Sequence, residues 1–270
     1  MSEPRSLVVH EWGPHDGTRV VCLHGVTSHG RHFARLAEAV PGFHFLAPDL
    51  LGHGSSPYEP PWSIDAHLDA IVEIVGAKPV VLLGHSFGGR LAFELAARHP
   101  ELATRLVLLD PAILIPPHVA LAAAEHARKE RSYVSFEEGI ERRFEESQLH
   151  RASRDVLVEE LVSHLVLDDD GRHRYRYCQA AVVAAYGEMA SEPPSFERVR
   201  LPTLVVLGER SYVPYDHLLD AHRAALGGLL DVRVLPGGHT VLWDALEETI
   251  EAVAGFLPQP SEASAASSAS

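Results

Sequence analysis

The sequence predicts an α/β fold: a mostly parallel, doubly wound sheet with helices on both faces and an inserted helical segment. Three observations predict it. Short β-branched and leucine runs alternate with helix-patterned stretches in two separate parts of the chain. That rhythm disappears between Ile113 and Arg200. Finally, Gly84-His85-Ser86-Phe87-Gly88 joins the apolar run Val80–Leu83 to the helical pattern Arg90–Ala97 through a glycine-flanked turn.

In chain order, the predicted strands are Leu7–Trp12, Arg19–Leu23, His44–Ala47, Val80–Leu83, Leu106–Leu109, Thr203–Leu207 and Val232–Leu235. Apolar residues dominate the middle ones, as strands buried on both faces require. Helices are expected over Arg31–Val40, Asp65–Val75, Gly89–Arg98, Tyr215–Ala225 and Leu242–Phe256. The inserted part is rich in Ala, Glu, Arg and Leu at helical spacing, over Val119–Arg131, Phe136–Ser147 and Arg154–Leu165. Prolines bracket it: Pro116-Pro117 on entry, Pro193-Pro194 and Pro202 on exit. The expected organisation is a core of residues 1–112 and 201–257, a helical cap over 113–200, and a Ser/Ala-rich tail over 258–270 that should be disordered. Asp168-Asp169-Asp170-Gly171 lacks the later ligands of a calcium loop and suits a tight turn or small hairpin.

Composition narrows the function. A chain of 270 residues with 46% hydrophobic content buries a large core, and its formal charge of -14 argues against nucleic acid or an anionic membrane surface as partner. No apolar run approaches the ~20 residues that span a bilayer, and the N-terminus runs directly into a strand without a leader-like segment. With only Cys22 and Cys178 available, reduced thiols and a cytoplasmic setting are expected. The 18 histidines are scattered without metal-ligand spacing, so no metal and no cofactor is expected.

The glycine-flanked serine carries the chemistry. A serine hydroxyl is a poor nucleophile unless it is exposed on a tight turn, beside a base, and next to backbone N–H groups that stabilise an oxyanion. Gly84-His85-Ser86-Phe87-Gly88 has the G-x-S-x-G pattern in the strand–turn–helix setting such a turn requires. Three further motifs follow predicted strands: Leu23-His24-Gly25-Val26, Asp49-Leu50-Leu51-Gly52-His53-Gly54-Ser55-Ser56, and Pro236-Gly237-Gly238-His239.

These four motifs, in this order, resemble the capped members of the α/β-hydrolase fold family over nearly all of residues 5–257. The resemblance implies Ser86 as nucleophile and His239 as general base and then acid. It implies the backbone N–H groups of Val26 and Phe87 as oxyanion donors. His24 and His53 are expected to shape their loops. His85 is a poor candidate for the base, because adjacent side chains on a tight turn diverge. Most capped family members carry the orienting acid in a G-x-x-D loop, but here the loop reads Gly208-Glu209-Arg210-Ser211. Asp110, at the end of the strand after the serine's own, is the leading substitute, since some members place their acid there; Glu209 and Asp216 are the alternatives. The implied activity is hydrolysis of a small-molecule carboxylic ester through an acyl-enzyme. A lactonase, a C–C bond hydrolase, a perhydrolase and a hydroxynitrile lyase share the same triad. A ligand receptor resembling a hydrolase is the reading from a different class.

Overall fold

The computed structural model describes residues 5–129 and 131–258; the tail expected to be disordered lies outside them from residue 259 onward. The strands are β1 (Val9–Trp12), β2 (Thr18–Leu23), β3 (Phe43–Pro48), β4 (Val80–His85), β5 (Ala103–Leu109), β6 (Ser132–Tyr133), β7 (Leu165–Leu167), β8 (His173–Tyr175), β9 (Thr203–Gly208) and β10 (Leu230–Leu235). Seven form one sheet in the order β1-β3-β2-β4-β5-β9-β10. Only β1 runs antiparallel, on β3; the other pairings are parallel. All seven expected core strands are therefore present, lengthened by a residue or more at several ends.

The helices are α1 (Ala34–Ala39), α2 (Ile64–Val75), α3 (Phe87–Arg98), α4 (Pro117–Ala127), α5 (Phe136–Glu146), α6 (Arg154–His164), α7 (Gln179–Met189), α8 (Asp216–Leu226), α9 (Val241–Asp244) and α10 (Leu246–Phe256). Three expected helices are shifted, shorter or broken: the one expected over Val119–Arg131 runs from Pro117 to Ala127 as α4. Gly30–Phe33 winds as a 3₁₀ turn before α1, and the stretch expected as one helix over Leu242–Phe256 breaks at Ala245 into α9 and α10.

The alternation of side chains along a strand builds two apolar layers. Val21, Leu23, Leu82, Leu106 and Leu108 face the layer shared with α2 and α3, including Leu68, Ile71, Leu91 and Leu95. Val20, Cys22, Val81, Leu83, Val107 and Leu109 face the opposite layer with Leu36, Val253 and Leu257. Both faces of the central strands are thus dry. This fixes their register, because a slip of one residue exchanges the two faces.

Between β5 and β9 the chain leaves the sheet. Strands β6, β8 and β7 form a small antiparallel sheet; its β7–β8 hairpin agrees with the turn or hairpin expected at Asp168–Gly171, whereas β6 and α7 were not anticipated. The Asp-rich stretch closes the β7–β8 hairpin, with Arg174 reaching back to Asp168 and Asp170. A separate apolar cluster of Tyr133, Ile140, Leu161, Leu165 and Tyr175 holds this region together. Its two stems meet on α3: the guanidinium of the buried Arg90 donates to the carbonyls of Ile113, at the entry, and of Ser191 and Glu192, at the exit. Glu94 accepts from Arg90 and Arg98 and balances the buried charge.

Many of the histidines are buried, and burial disfavours the imidazolium. His29, His53 and His222 are pushed down to about 4 and His67 to about 3, in each case first by desolvation. Between those values and the unfolded histidine value of ~6.5, the unfolded chain binds protons that the folded chain refuses, so stability rises with pH across that window. Urea unfolding followed from pH 7 to pH 4 should therefore show stability falling on acidification, with a slope approaching about 1.4 kcal/mol per pH unit for each of these histidines. Stability that stays flat from pH 7 to pH 5 would contradict their neutral burial.

Candidate active site

The site is built where strand ends meet at the carboxyl edge of the sheet, the edge at which open α/β sheets bind ligands. Strand β4 ends at His85 and α3 begins at Phe87, leaving Ser86 alone in the turn with φ 54°. That left-handed conformation is costly for a side-chain-bearing residue, and the neighbouring packing enforces it. A Cβ at Gly84 would lie 2.2 Å from the Gly88 carbonyl oxygen, and one at Gly88 would lie 1.9 Å from that of Leu23. Glycine at both positions lets the helix start against its own strand and against β2.

The structure brings Ser86, His239 and Asp110 into one chain of hydrogen bonds. His239, in the loop after β10, has Nε2 2.9 Å from Ser86 Oγ and Nδ1 2.6 Å from Asp110 Oδ2. All three residues are buried. Asp110 directly follows β5 and itself has a positive φ of 41°. Its Oδ1 accepts the backbone N–H of Gly208 at 2.8 Å, and its Oδ2 also accepts the hydroxyl of Ser211. Neither alternative carboxylate takes this place: Glu209 and Asp216 are both exposed. The serine at 211 thus remains attached to the acid, as a donor. Nothing in the sequence announced that contact.

Of the two expected oxyanion donors, Phe87 opens α3 with its ring in the core, and Val26 lies in the wall of a cavity of about 330 Å³ that also contains Ser86 and His239. The Val26 loop turns sharply, with Thr27 at φ 61° and Ser28 N–H donating to Gly25 O at 3.2 Å. Gly25 allows it to lie against the serine, since a Cβ there would stand 3.0 Å from Ser86 Cβ.

The remaining motif residues hold loops. His24 Nε2 accepts the Leu50 N–H at 2.9 Å while its Nδ1 lies 2.8 Å from Gly25 O. His53 Nδ1 pairs with Leu51 O at 3.0 Å. Asp49 accepts the N–H groups of Gly30 and Ser55 at 2.8 and 2.9 Å. His85 does not contact Ser86 Oγ; its Nε2 meets the carbonyl of His239 at 3.1 Å, so it braces the histidine loop. Burial, then the neighbouring His239 and His32, pushes the His85 imidazole well below its ordinary value, which keeps it neutral.

Two carboxylates that the sequence reading passed over organise the surroundings. Asp244 accepts the N–H of Gly238 at 2.7 Å and those of His150, Arg151 and Ala152 at 2.9–3.0 Å, clamping the inserted segment to the His239 loop. Burial raises its carboxyl, but these N–H groups outweigh that and hold it below its usual range. Glu160, on α6, accepts from His32 Nδ1 at 2.8 Å and from Trp243 Nε1 at 2.5 Å. Burial again opposes ionisation, and His32 with its hydrogen bond, His29 and Arg143 bring Glu160 down to about 2. Of the segment's apolar residues, Tyr186 lines the cavity, Leu157 and Leu161 are buried, and Phe144 is exposed.

Away from the cavity, Glu11, His15 and His44 each bring one ligand atom within 4.8 Å of the others, and a 2.8 Å His44–Glu11 hydrogen bond already joins two of them. Cys22 and Cys178 are free thiols. No helix among the described residues is long and apolar enough to cross a membrane.

Residues 18–135 match the model of the α/β hydrolase fold family. A Mycobacterium tuberculosis protein named Lipase LipV is 37% identical over 245 residues, covering 87% of this chain and 91% of that protein. The chain belongs to the α/β-hydrolase family. A mouse protein named sn-1-specific diacylglycerol lipase ABHD11 is 29% identical over 250 residues, with 88% and 80% of the two chains covered. The crystal structure of E-2-(acetamidomethylene)succinate hydrolase superposes with a TM-score of 0.80 at 23% identity, over 93% of this chain and 94% of that one, a likeness in fold.

Asp244→Ala removes the acceptor of four backbone N–H groups and should cost about 2–3 kcal/mol, part of each loss being recovered by water. A urea unfolding midpoint unchanged from wild type would show that the clamp carries no stability.

Proposed function

We propose that this chain is a serine hydrolase that cleaves small to medium carboxylic esters through an acyl-enzyme intermediate, with residues 113–200 as a cap over the core. The observation that carries the reading is the Ser86–His239–Asp110 relay, at 2.9 and 2.6 Å, opening into a cavity of about 330 Å³. The lipases among its relatives support an ester as substrate.

In the proposed reaction His239 Nε2 takes the proton of Ser86 as Oγ attacks the ester carbonyl. The N–H groups of Val26 and Phe87 receive the negative oxygen of the tetrahedral intermediate, commonly the largest single catalytic contribution. The imidazolium then returns its proton to the departing alkoxide, leaving the acyl group on Ser86. Water, activated by the same imidazole, attacks the acyl carbonyl and releases the acid. Asp110, with Oδ1 held by Gly208, keeps the proton on Nδ1 and stabilises the imidazolium. A receptor with little turnover would be favoured by an imidazole lacking a carboxylate partner; the Asp110 contact to His239 at 2.6 Å supports the enzyme reading instead.

Nitrophenyl-ester turnover and labelling by a fluorophosphonate should both be lost in Ser86→Ala, and turnover should be lost in His239→Ala. Labelling that survives Ser86→Ala would refute the nucleophile. Asp110→Asn should lower kcat by orders of magnitude, approaching ~10⁴, because the imidazole loses its orienting partner. Asn tolerates the positive φ at this position, so folding should be retained. Glu209→Gln and Asp216→Asn should each stay within about tenfold, or roughly 1.4 kcal/mol. A collapse of either, with Asp110→Asn near wild type, would reassign the acid.

A further inference from the structure

The inserted segment places two guanidinium groups and one carboxylate in the wall of the Ser86 cavity: Arg131, Arg143 and Glu146. Arg131 and Glu146 answer each other at 3.6 Å. Arg143 is left over. Among the described residues its close partners are aromatic faces, the guanidinium carbon standing 5.3 Å from the ring centre of Trp243 and 5.6 Å from that of Tyr175. Its Nε is buried and unpartnered. Glu160 feels this charge electrostatically, and its Oε2 accepts from both His32 Nδ1 and Trp243 Nε1, but among the described residues no hydrogen bond or ion pair joins Glu160 to Arg143.

A guanidinium within cation–π reach of two rings is steadied without using up its N–H groups, and what it still offers is a fork of donors that matches a carboxylate with two parallel hydrogen bonds. Position reinforces the match. Trp243 lies four residues beyond His239, in the helix that follows the histidine loop, so the ring under Arg143 is tied in register to the group beside Ser86. Arg143 and Ser86 line the same cavity, so one small ligand can meet both. In a chain of net charge -14, a guanidinium in the pocket wall with no direct ion pair among the described residues also directs anion recognition to this place.

We infer that Arg143 forms an anion subsite of the Ser86 cavity and that the substrates are esters bearing a free carboxylate, such as hemiesters of short dicarboxylic acids. For turnover this rests on the serine-hydrolase reading; for binding it does not. The carboxylate is held and does not react.

The kinetic test compares 4-nitrophenyl hemiglutarate with its neutral isostere, 4-nitrophenyl 5-oxohexanoate. Wild type should prefer the hemiester by at least about tenfold in kcat/KM, each tenfold corresponding to about 1.4 kcal/mol. That ratio should fall toward one in Arg143→Gln and be partly kept in Arg143→Lys, which retains the charge but not the fork. A ratio near one in wild type, or one unchanged by Arg143→Gln, overturns the subsite. The binding arm measures monomethyl glutarate on the Ser86→Ala protein by calorimetry, with and without Arg143→Gln; the second substitution should raise Kd at least about tenfold. If wild type hydrolyses neither ester but binding depends on Arg143, the subsite stands and the hydrolase reading falls. If Ser86-dependent hydrolysis of the neutral ester is found but binding ignores Arg143, the hydrolase reading stands and the subsite falls.

Discussion

The carboxylate of Asp110 is the junction on which the site depends. It lies just past β5, takes the Gly208 N–H at the end of β9 and the hydroxyl of Ser211 in the loop beyond, and meets His239 from the loop after β10. One buried side chain therefore gathers three neighbouring strand ends around the imidazole. A buried carboxylate is stable only if its oxygens are satisfied, and each donor that satisfies it also fixes a loop. The loop after β9, where the sequence has Ser211 and not a carboxylate, donates to Asp110.

The other half of the site is set by close backbone approach. Ser86 keeps its left-handed turn because β4, β2 and the start of α3 come together where Gly84 and Gly88 lack side chains. Four residues into the same helix, Arg90 holds both stems of the inserted segment. The element that presents the serine thereby anchors the segment that contributes to the wall of its cavity. Asp244 makes the second attachment, binding His150 to Ala152 of that segment and Gly238 of the histidine loop with one carboxylate. One carboxylate thus ties the inserted segment to the loop that carries His239.

Much of this was legible in the sequence, for stateable reasons. Central strands buried on both faces read as apolar runs, and the four glycine-containing motifs mark the strand ends where the backbone turns most sharply, so the fold and the positions of Ser86 and His239 could be found from local pattern. Asp110 could be reached by exclusion, because position 211 is uncharged and β5 neighbours the serine's strand. What stayed hidden depends on contacts distant in sequence. Ser211 donates across 101 residues, and Glu160 meets Trp243 across 83. In the inserted segment the Asp-Gly turn marked the β7–β8 hairpin, but β6, which completes its sheet, is two residues long, too short to show a period of two against a helical background. Ala245 gave no warning of the break between α9 and α10.

The most direct test of the account is low-field proton NMR of the protein in water. A proton held between His239 Nδ1 and a carboxylate oxygen at 2.6 Å should give a resonance shifted far downfield of the amide envelope. The account predicts that this resonance is present in wild type, absent in His239→Ala and absent in Asp110→Asn, while Glu209→Gln and Asp216→Asn leave it in place. A resonance that persists in Asp110→Asn and vanishes in either of the other two would contradict the claim that the carboxylate after β5 holds the histidine.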